Sequence, residues 1–235
     1  MITLHHSPTT RSFRIRWLLG ELGLPCRLKV HDFYNQERVD PAYLKINPMG
    51  SFPAMEDDGL ILTESGAMVN HIINRYGEGR FRYPAGSREA ALVDEWMFWS
   101  EGLFAIHQRY FWDHSIPAPA CISDPIPKAG EYGKRQAIKY AHMLESNLHD
   151  EGFIVGDSLT GADFMLSFPV YTANLAGWFE TLPKIRAYAG RLAARPAFQE
   201  AIEDFAPYLE KMFGSPAPFS SFRDWETDWL GRLKL

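Results

Sequence analysis

Near residue 80 the hydrophobic period of this chain changes, and with it the kind of structure each half can form. Up to about residue 76, short strand-like runs alternate with a helical pattern; beyond about residue 88 every segment reads as helix. A sheet-containing unit followed by a helical bundle is therefore expected. Ile2 to His5 is a brief apolar strand, and Phe13 to Leu22 carries Ile15, Leu18, Leu19 and Leu22 at the spacing of a helix buried on one face, closed by Gly23. Leu28 to His31 reads as a second strand. This makes a βαβ unit with parallel strands and a right-handed crossover. Pro53 to Glu56 and Leu60 to Leu62 flank Asp57-Asp58-Gly59, whose Asp-Gly step signals a tight hairpin, so a four-stranded mixed sheet results. A helix from Ser65 to Tyr76 follows. The run to Ser87, with Gly, Pro and Arg and no period, is the expected linker.

The second half shows helical patterns at about 88–114, 130–149, 160–178, 183–193 and 197–212, hence an all-α bundle. Thr160-Gly161-Ala162-Asp163 has the form of a capping box, a folding signal and not a chemical one. In the tail, Trp225, Trp229 and Leu233 would form one apolar stripe if helical, and such a stripe is expected to pack on its own chain. The division expected is residues 1–77, a linker at 78–87, helices over 88–213 and an extension at 214–235.

Composition narrows the function classes. With 24 Lys+Arg against 29 Asp+Glu the chain carries a formal charge of −5, so no basic field exists to gather nucleic acid or an anionic membrane. Its two cysteines, Cys26 and Cys121, show no close pairing, and the opening MITLHHSPTTRS lacks the apolar core of a signal peptide, so a reduced, cytoplasmic protein is expected. No apolar run approaches a membrane span. His5, His6, His107 and His114 lack ligand spacing, which argues against a metal site.

The chemistry concentrates in two segments. Asn47-Pro48-Met49-Gly50-Ser51-Phe52-Pro53 sets a proline-fixed open backbone edge just before the third strand, and Glu64-Ser65-Gly66-Ala67 opens a helix with an acid and a hydroxyl. An extended peptide can add to such an edge through the backbone of Phe52 while its carboxylate rests on the helix N-terminus at Ser65. Each segment also has a plainer role, Pro53 as a turn proline and Glu64-Ser65 as a helix start.

These segments, with Thr10-Arg11-Ser12-Phe13-Arg14 and Leu159-Thr160-Gly161-Ala162-Asp163, resemble a cytosolic glutathione transferase of the serine/threonine-hydroxyl type over nearly all of residues 1–212. The resemblance implies a thioredoxin-like N-terminal domain that holds glutathione, an all-helical domain that supplies a hydrophobic pocket, a homodimer, and conjugation of the glutathione thiolate to a small hydrophobic electrophile. It implies a cis bond at Pro53, glutathione contacts from Ser51, Phe52, Pro53, Glu64 and Ser65, and a hydroxyl donor to the sulfur at Thr10, with Thr9 second. A thiol with a pKa of about 8.5 is mostly protonated at neutral pH, and lowering it by ~2 units takes roughly 2.7 kcal/mol, within reach of one strong hydrogen bond and a helix N-terminus. Ser7 and Ser12 lie close by, and all four hydroxyls have turn and capping roles open to them. Trp99 to Trp112 is crowded with aromatics, and Phe104, His107 and Phe111 share a helical face that reads either as the electrophile pocket or as packing between helices. A passive glutathione-binding protein, or a glutathione-dependent isomerase or dehalogenase, would share the same first-domain site.

Overall fold

The computed structural model describes residues 1–115, 125–205, 207 and 208. Cys121 and the Trp225-Trp229-Leu233 stripe lie outside the described residues. Strand β1 (Ile2–His6) leads into helix α1 (Ser12–Leu22), β2 (Cys26–Val30), a 3-10 turn (Glu37–Val39), the short α2 (Pro41–Leu44), β3 (Ala54–Asp57), β4 (Leu60–Leu62) and α3 (Ser65–Tyr76). The sheet order is β2-β1-β3-β4, with β1 and β2 parallel and the other two pairings antiparallel. This is the mixed sheet the pattern dictates. The 3-10 turn and α2, with no period long enough to show, were not expected.

Local chemistry explains the boundaries. Gly23 adopts φ 66° and its N–H bonds the Gly20 carbonyl, so α1 stops where a left-handed residue costs nothing. Asp58 and Gly59 both take positive φ, 48° and 85°, the paired left-handed conformation of a two-residue hairpin. Along β1, Leu4 and His6 turn to one side of the sheet and His5 to the other. The latter side holds a small cluster in which the His31 ring stacks on Phe52 at 5.1 Å.

Helices α4 (Arg88–Trp99), α5 (Ile106–Ser115), α6 (Pro127–Asn147), α7 (Gly161–Leu175), α8 (Pro183–Ala193) and α9 (Pro196–Ile202) make the helical part. The single helix expected over 88–114 is interrupted by a π-helical segment at Ser100–Ala105. Its position has a physical reason across the interface in α7. Pro169 has no N–H, which frees the Met165 carbonyl, and the buried Ser100 hydroxyl donates to that carbonyl at 2.9 Å. Gln108 donates to the Pro169 carbonyl at 2.7 Å. The α5 and α6 helices meet along Gly130 and Gly133; a Cβ on Gly133 would stand 2.5 Å from the His107 carbonyl oxygen.

The capping box forms as read: the Thr160 N–H donates to Asp163 at 2.8 Å. Asp163 is fully buried and also accepts from the Ile154 N–H and the Tyr188 hydroxyl. One continuous core joins sheet and helices. Trp17 of α1 sits 4.5 Å from the Phe164 ring of α7 and 5.1 Å from Phe198 of α9.

Candidate functional site

A cleft of about 740 Å³ opens where the C-terminal end of β1, the loop before β3 and the start of α3 face the helical part. Thr9, Thr10, Ser51, Phe52, Pro53, Glu64 and Ser65 all line it, so the structure brings the residues expected to hold and activate a peptide thiol to one wall.

The loop before β3 is rigidly held. The Phe52–Pro53 bond is cis. The Ser51 carbonyl accepts from the Tyr43 hydroxyl at 2.6 Å and from Asn47 Nδ2 at 2.7 Å, and burial pushes the Tyr43 hydroxyl well above its ordinary value in spite of its bond to Asn47, so it serves as a fixed donor. Among the described residues the Phe52 backbone N–H and C=O take no partner, leaving a strand edge to which an extended peptide can bond.

At the start of α3, Glu64 occupies the cap position without capping: no side chain takes the first-turn amides. Ser65 Oγ accepts from Arg14 Nη1 at 3.1 Å, so the Ser65 hydroxyl hydrogen is left for a ligand. The fully buried Arg14 also pairs closely with Glu101 of the π-helical segment, whose other oxygen accepts from Arg11 Nε at 2.8 Å. Burial lowers the Arg14 value, opposed by the charge of Glu101. Burial alone would raise Glu101, but the charges and hydrogen bonds of Arg14 and Arg11 outweigh it and hold the carboxyl below its ordinary value. Arg14 and Glu101 thus tie α1, α3 and the helical part together behind the start of α3.

The hydroxyl cluster is also ordered. Thr9 has φ 59°, a left-handed conformation unusual for a β-branched residue, and its hydroxyl donates to the Pro8 carbonyl at 2.6 Å. Thr10 Oγ1 lies 2.7 Å from the Ser7 carbonyl and 2.9 Å from Ser12 Oγ. Ser7 and Ser12 are fully buried, whereas Thr9 and Thr10 reach the cleft.

The far wall of the cleft is lined by other residues than the aromatic face that the sequence offered. Phe104 and Phe111 are buried in the helical core, Phe104 stacked on Trp99 and Phe111 edge-on to Trp178, and His107 turns to the Tyr132 and Tyr140 rings with Nδ1 at 2.6 Å from the Leu103 carbonyl. None of the three lines the cleft. Their apolar face is the one that packs on α6 and the segment after α7, which is what an aromatic stripe at helical spacing most often does. The cleft draws instead on Ile106, Tyr110 and Asp113 of α5 and on Phe168, Thr172 and Leu175 of α7, with Tyr34 beside Thr9. The half-turn offset of Ile106 and Tyr110 from Phe104 and Phe111 was visible in the sequence; which offset faces the sheet was not.

Burial pushes the thiol of Cys26, on β2, above its ordinary value, consistent with a packing role. Among the described residues no cluster of His, Cys, Asp and Glu could hold a metal ion, and no helix is long and apolar enough to cross a membrane.

Fold and cleft together define a thioredoxin-like unit joined to a helical bundle across a shared site. Residues 4–80 match the glutathione S-transferase N-terminal domain and residues 123–205 the C-terminal domain. The chain is 30% identical over 214 residues to a probable glutathione S-transferase of Oryza sativa subsp. japonica, an alignment covering 85% of this chain and 94% of the relative. It is 27% identical to glutathione S-transferase 3 of Schizosaccharomyces pombe, covering 74% and 75%. A glutathione transferase homolog from Lodderomyces elongisporus, crystallised with two glutathione molecules per subunit, superposes with a TM-score of 0.78 at 23% identity over 86% of this chain and 97% of that one. The chain belongs to the glutathione S-transferase family.

Proposed function

We propose that the protein conjugates the thiolate of glutathione to a small hydrophobic electrophile. The observation that carries this reading is that Thr10, the open Phe52 edge and the uncapped start of α3 line one cleft. In the proposed complex the cysteinyl unit pairs with the Phe52 backbone beside Ser51 and Pro53, and the γ-glutamyl carboxylate meets the Ser65 hydroxyl and the first amides of α3. The ammonium group faces Glu64. The Thr10 hydroxyl, with Thr9 next to it, donates to the sulfur and favours its ionised form. The electrophile lies against Ile106, Tyr110 and Phe168, which with Leu175 give the far wall its apolar character. The same reading includes the domain division at residues 78–87, a cytoplasmic location and a homodimer; exposed Phe98 and Met49 supply apolar surface for association.

A second reading has an observation of its own. Because Thr10 Oγ1 is already engaged with Ser7 and Ser12, it could serve only the turn into α1, and the protein would then bind glutathione without activating it. The two separate in a pH titration of the ultraviolet thiolate absorbance of bound glutathione, run beside Thr10→Val. A bound thiol that ionises well below the free one, returning toward it in the variant, is expected. An unshifted thiol in the parent protein favours passive binding.

A further inference from the structure

Behind Thr10 lies a buried array that the binding of glutathione does not require. Ser12 Oγ, 2.9 Å from Thr10 Oγ1, stands 2.8 Å from Nδ1 of His6, and Nε2 of the same ring stands 3.1 Å from Oδ2 of Asp204, in the turn after α9. His6 and Ser12 are fully buried. Asp204 also accepts from Arg16 Nη1 at 2.8 Å, and Arg16 Nη2 is 2.5 Å from Glu203. Burial would raise the Asp204 carboxyl, but His6 and Arg16 outweigh it and keep it ionised below its ordinary value.

The donor directions follow from who can accept. An ionised Asp204 only accepts, so Nε2 carries a hydrogen and gives it to Asp204. That leaves Nδ1 with a lone pair aimed at Ser12, whose single hydroxyl hydrogen is shared between that lone pair at 2.8 Å and the Ser7 carbonyl at 2.9 Å, and whose oxygen accepts from the Ser7 N–H at 3.1 Å. Ser12 retains room to accept from Thr10. The Ser7 carbonyl also accepts from Thr10 at 2.7 Å, and when the Thr10 and Ser12 hydrogens turn from it toward Ser12 and His6 the array becomes a directed chain from the cleft to a charge-stabilised imidazole.

We propose that Ser12, His6 and Asp204 form a relay behind Thr10 that takes up the thiol proton of bound glutathione. This rests on the reading of Thr10 as the group facing the sulfur. In the step, the S–H bond breaks as its proton passes to Thr10 Oγ1. The Thr10 hydroxyl proton passes to Ser12 Oγ, and the Ser12 proton to His6 Nδ1. The products are a thiolate and an imidazolium held by Asp204, with no change in the number of protons or electrons. Every hydrogen bond in the chain has then reversed: His6 donates to Ser12, Ser12 to Thr10, and Thr10 to the sulfur anion. When the thioether product leaves, the proton returns along the same chain to water. The charged groups around the ring are Asp204 on its Nε2 side and, beyond it, Arg16 and Glu203; Ser7 and Ser12 present only neutral groups. His6, Ser12 and Asp204 are positioning residues, acting through Thr10.

The test counts protons in the whole parent protein. Glutathione is titrated calorimetrically near neutral pH in two buffers of different ionisation enthalpy, thiolate formation is read by ultraviolet absorbance, and S-methylglutathione, which has no ionisable thiol, is titrated as the reference. The relay requires thiolate to form with no more proton release than S-methylglutathione causes. Release of one proton per thiolate formed overturns it. If no thiolate forms at all, the Thr10 reading fails and the relay falls with it, a result distinguishable from failure of the relay alone. In His6→Gln and Asp204→Asn, variants that still bind S-methylglutathione as the parent does should release the proton to buffer and show a bound-thiol midpoint about one unit higher, a tenfold loss of thiolate preference. An unmoved midpoint in both overturns the proposal. Should neither variant fold, the proton count on the parent protein decides alone.

Discussion

Replacing Glu101 by Gln isolates the contact that joins the two halves behind the start of α3. The substitution keeps the shape of the side chain and removes its charge, leaving the guanidinium of Arg14, with none of its side chain exposed, without a counter-ion. Removing one partner of a buried pair costs about 3–5 kcal/mol. Glu101 is 33% exposed, and Arg11 shares its charge, so water and the remaining amide oxygen recover part of this and the low end, about 3 kcal/mol, is expected. For a chain of this size each kcal/mol shifts the melting temperature by roughly 2–4 °C, giving a drop of about 6–12 °C. The same variant should bind glutathione more weakly, because Arg14 braces Ser65. Adding Arg14→Met removes the stranded charge and should recover most of the lost stability while affinity stays low. A melting temperature within about 2 °C of the parent, roughly the shift of a single kcal/mol, would show that the Glu101 charge is not what holds Arg14.

Other perturbations test the rest of the architecture. Gly133→Ala puts a methyl group 2.5 Å from the His107 carbonyl and 2.7 Å from Tyr110 Cβ, so thermal unfolding should show a loss of about 1–3 kcal/mol; an unchanged melt would mean that α5 and α6 can separate freely. Asp163→Ala strands the donors of Ile154, Thr160 and Tyr188 in the core and should cost at least about 3 kcal/mol in denaturant unfolding, far more than Ser87→Ala, which removes an ordinary cap at about 1 kcal/mol. Trp17→Ala empties the junction between Phe164 and Phe198, with an expected loss of about 3–5 kcal/mol by the same assay. Glu101 and Asp204 are both held below their ordinary values, so their contribution is fully present above the unfolded carboxylate pKa of about 4 and is lost as pH falls through the folded values. Stability measured from pH 6 to pH 3 should therefore decline, and decline less steeply in Glu101→Gln; parallel curves would count against this linkage.

The sequence by itself determined most of the elements and the segments that line one wall of the cleft. The Asp58-Gly59 turn, the stop at Gly23 and the capping box at Thr160 are local properties, decided by backbone sterics and hydrogen bonds within a few residues, so they survive into the fold unchanged, while the strand and helix periods keep each element's type but not its bounds, as with β2 at Cys26–Val30 where Leu28 to His31 was expected. The segments around Phe52-Pro53 and Glu64-Ser65 were legible for the same reason. Tertiary structure decided what depends on a partner from far along the chain. The break in the helix at Ser100 answers a carbonyl freed by Pro169, some seventy residues later, which no local period reveals. Which face of the aromatic helix met the cleft was settled by the packing of α6 and α7, and it sent Phe104 and Phe111 inward and Ile106 and Tyr110 to the site. The alignment of Thr10, Ser12, His6 and Asp204 likewise exists only because α9 returns the chain to the end of β1, and the Arg14–Glu101 pair only because the helical part closes over α1. Periodicity reports that a face is apolar; only the assembled core specifies what that face touches.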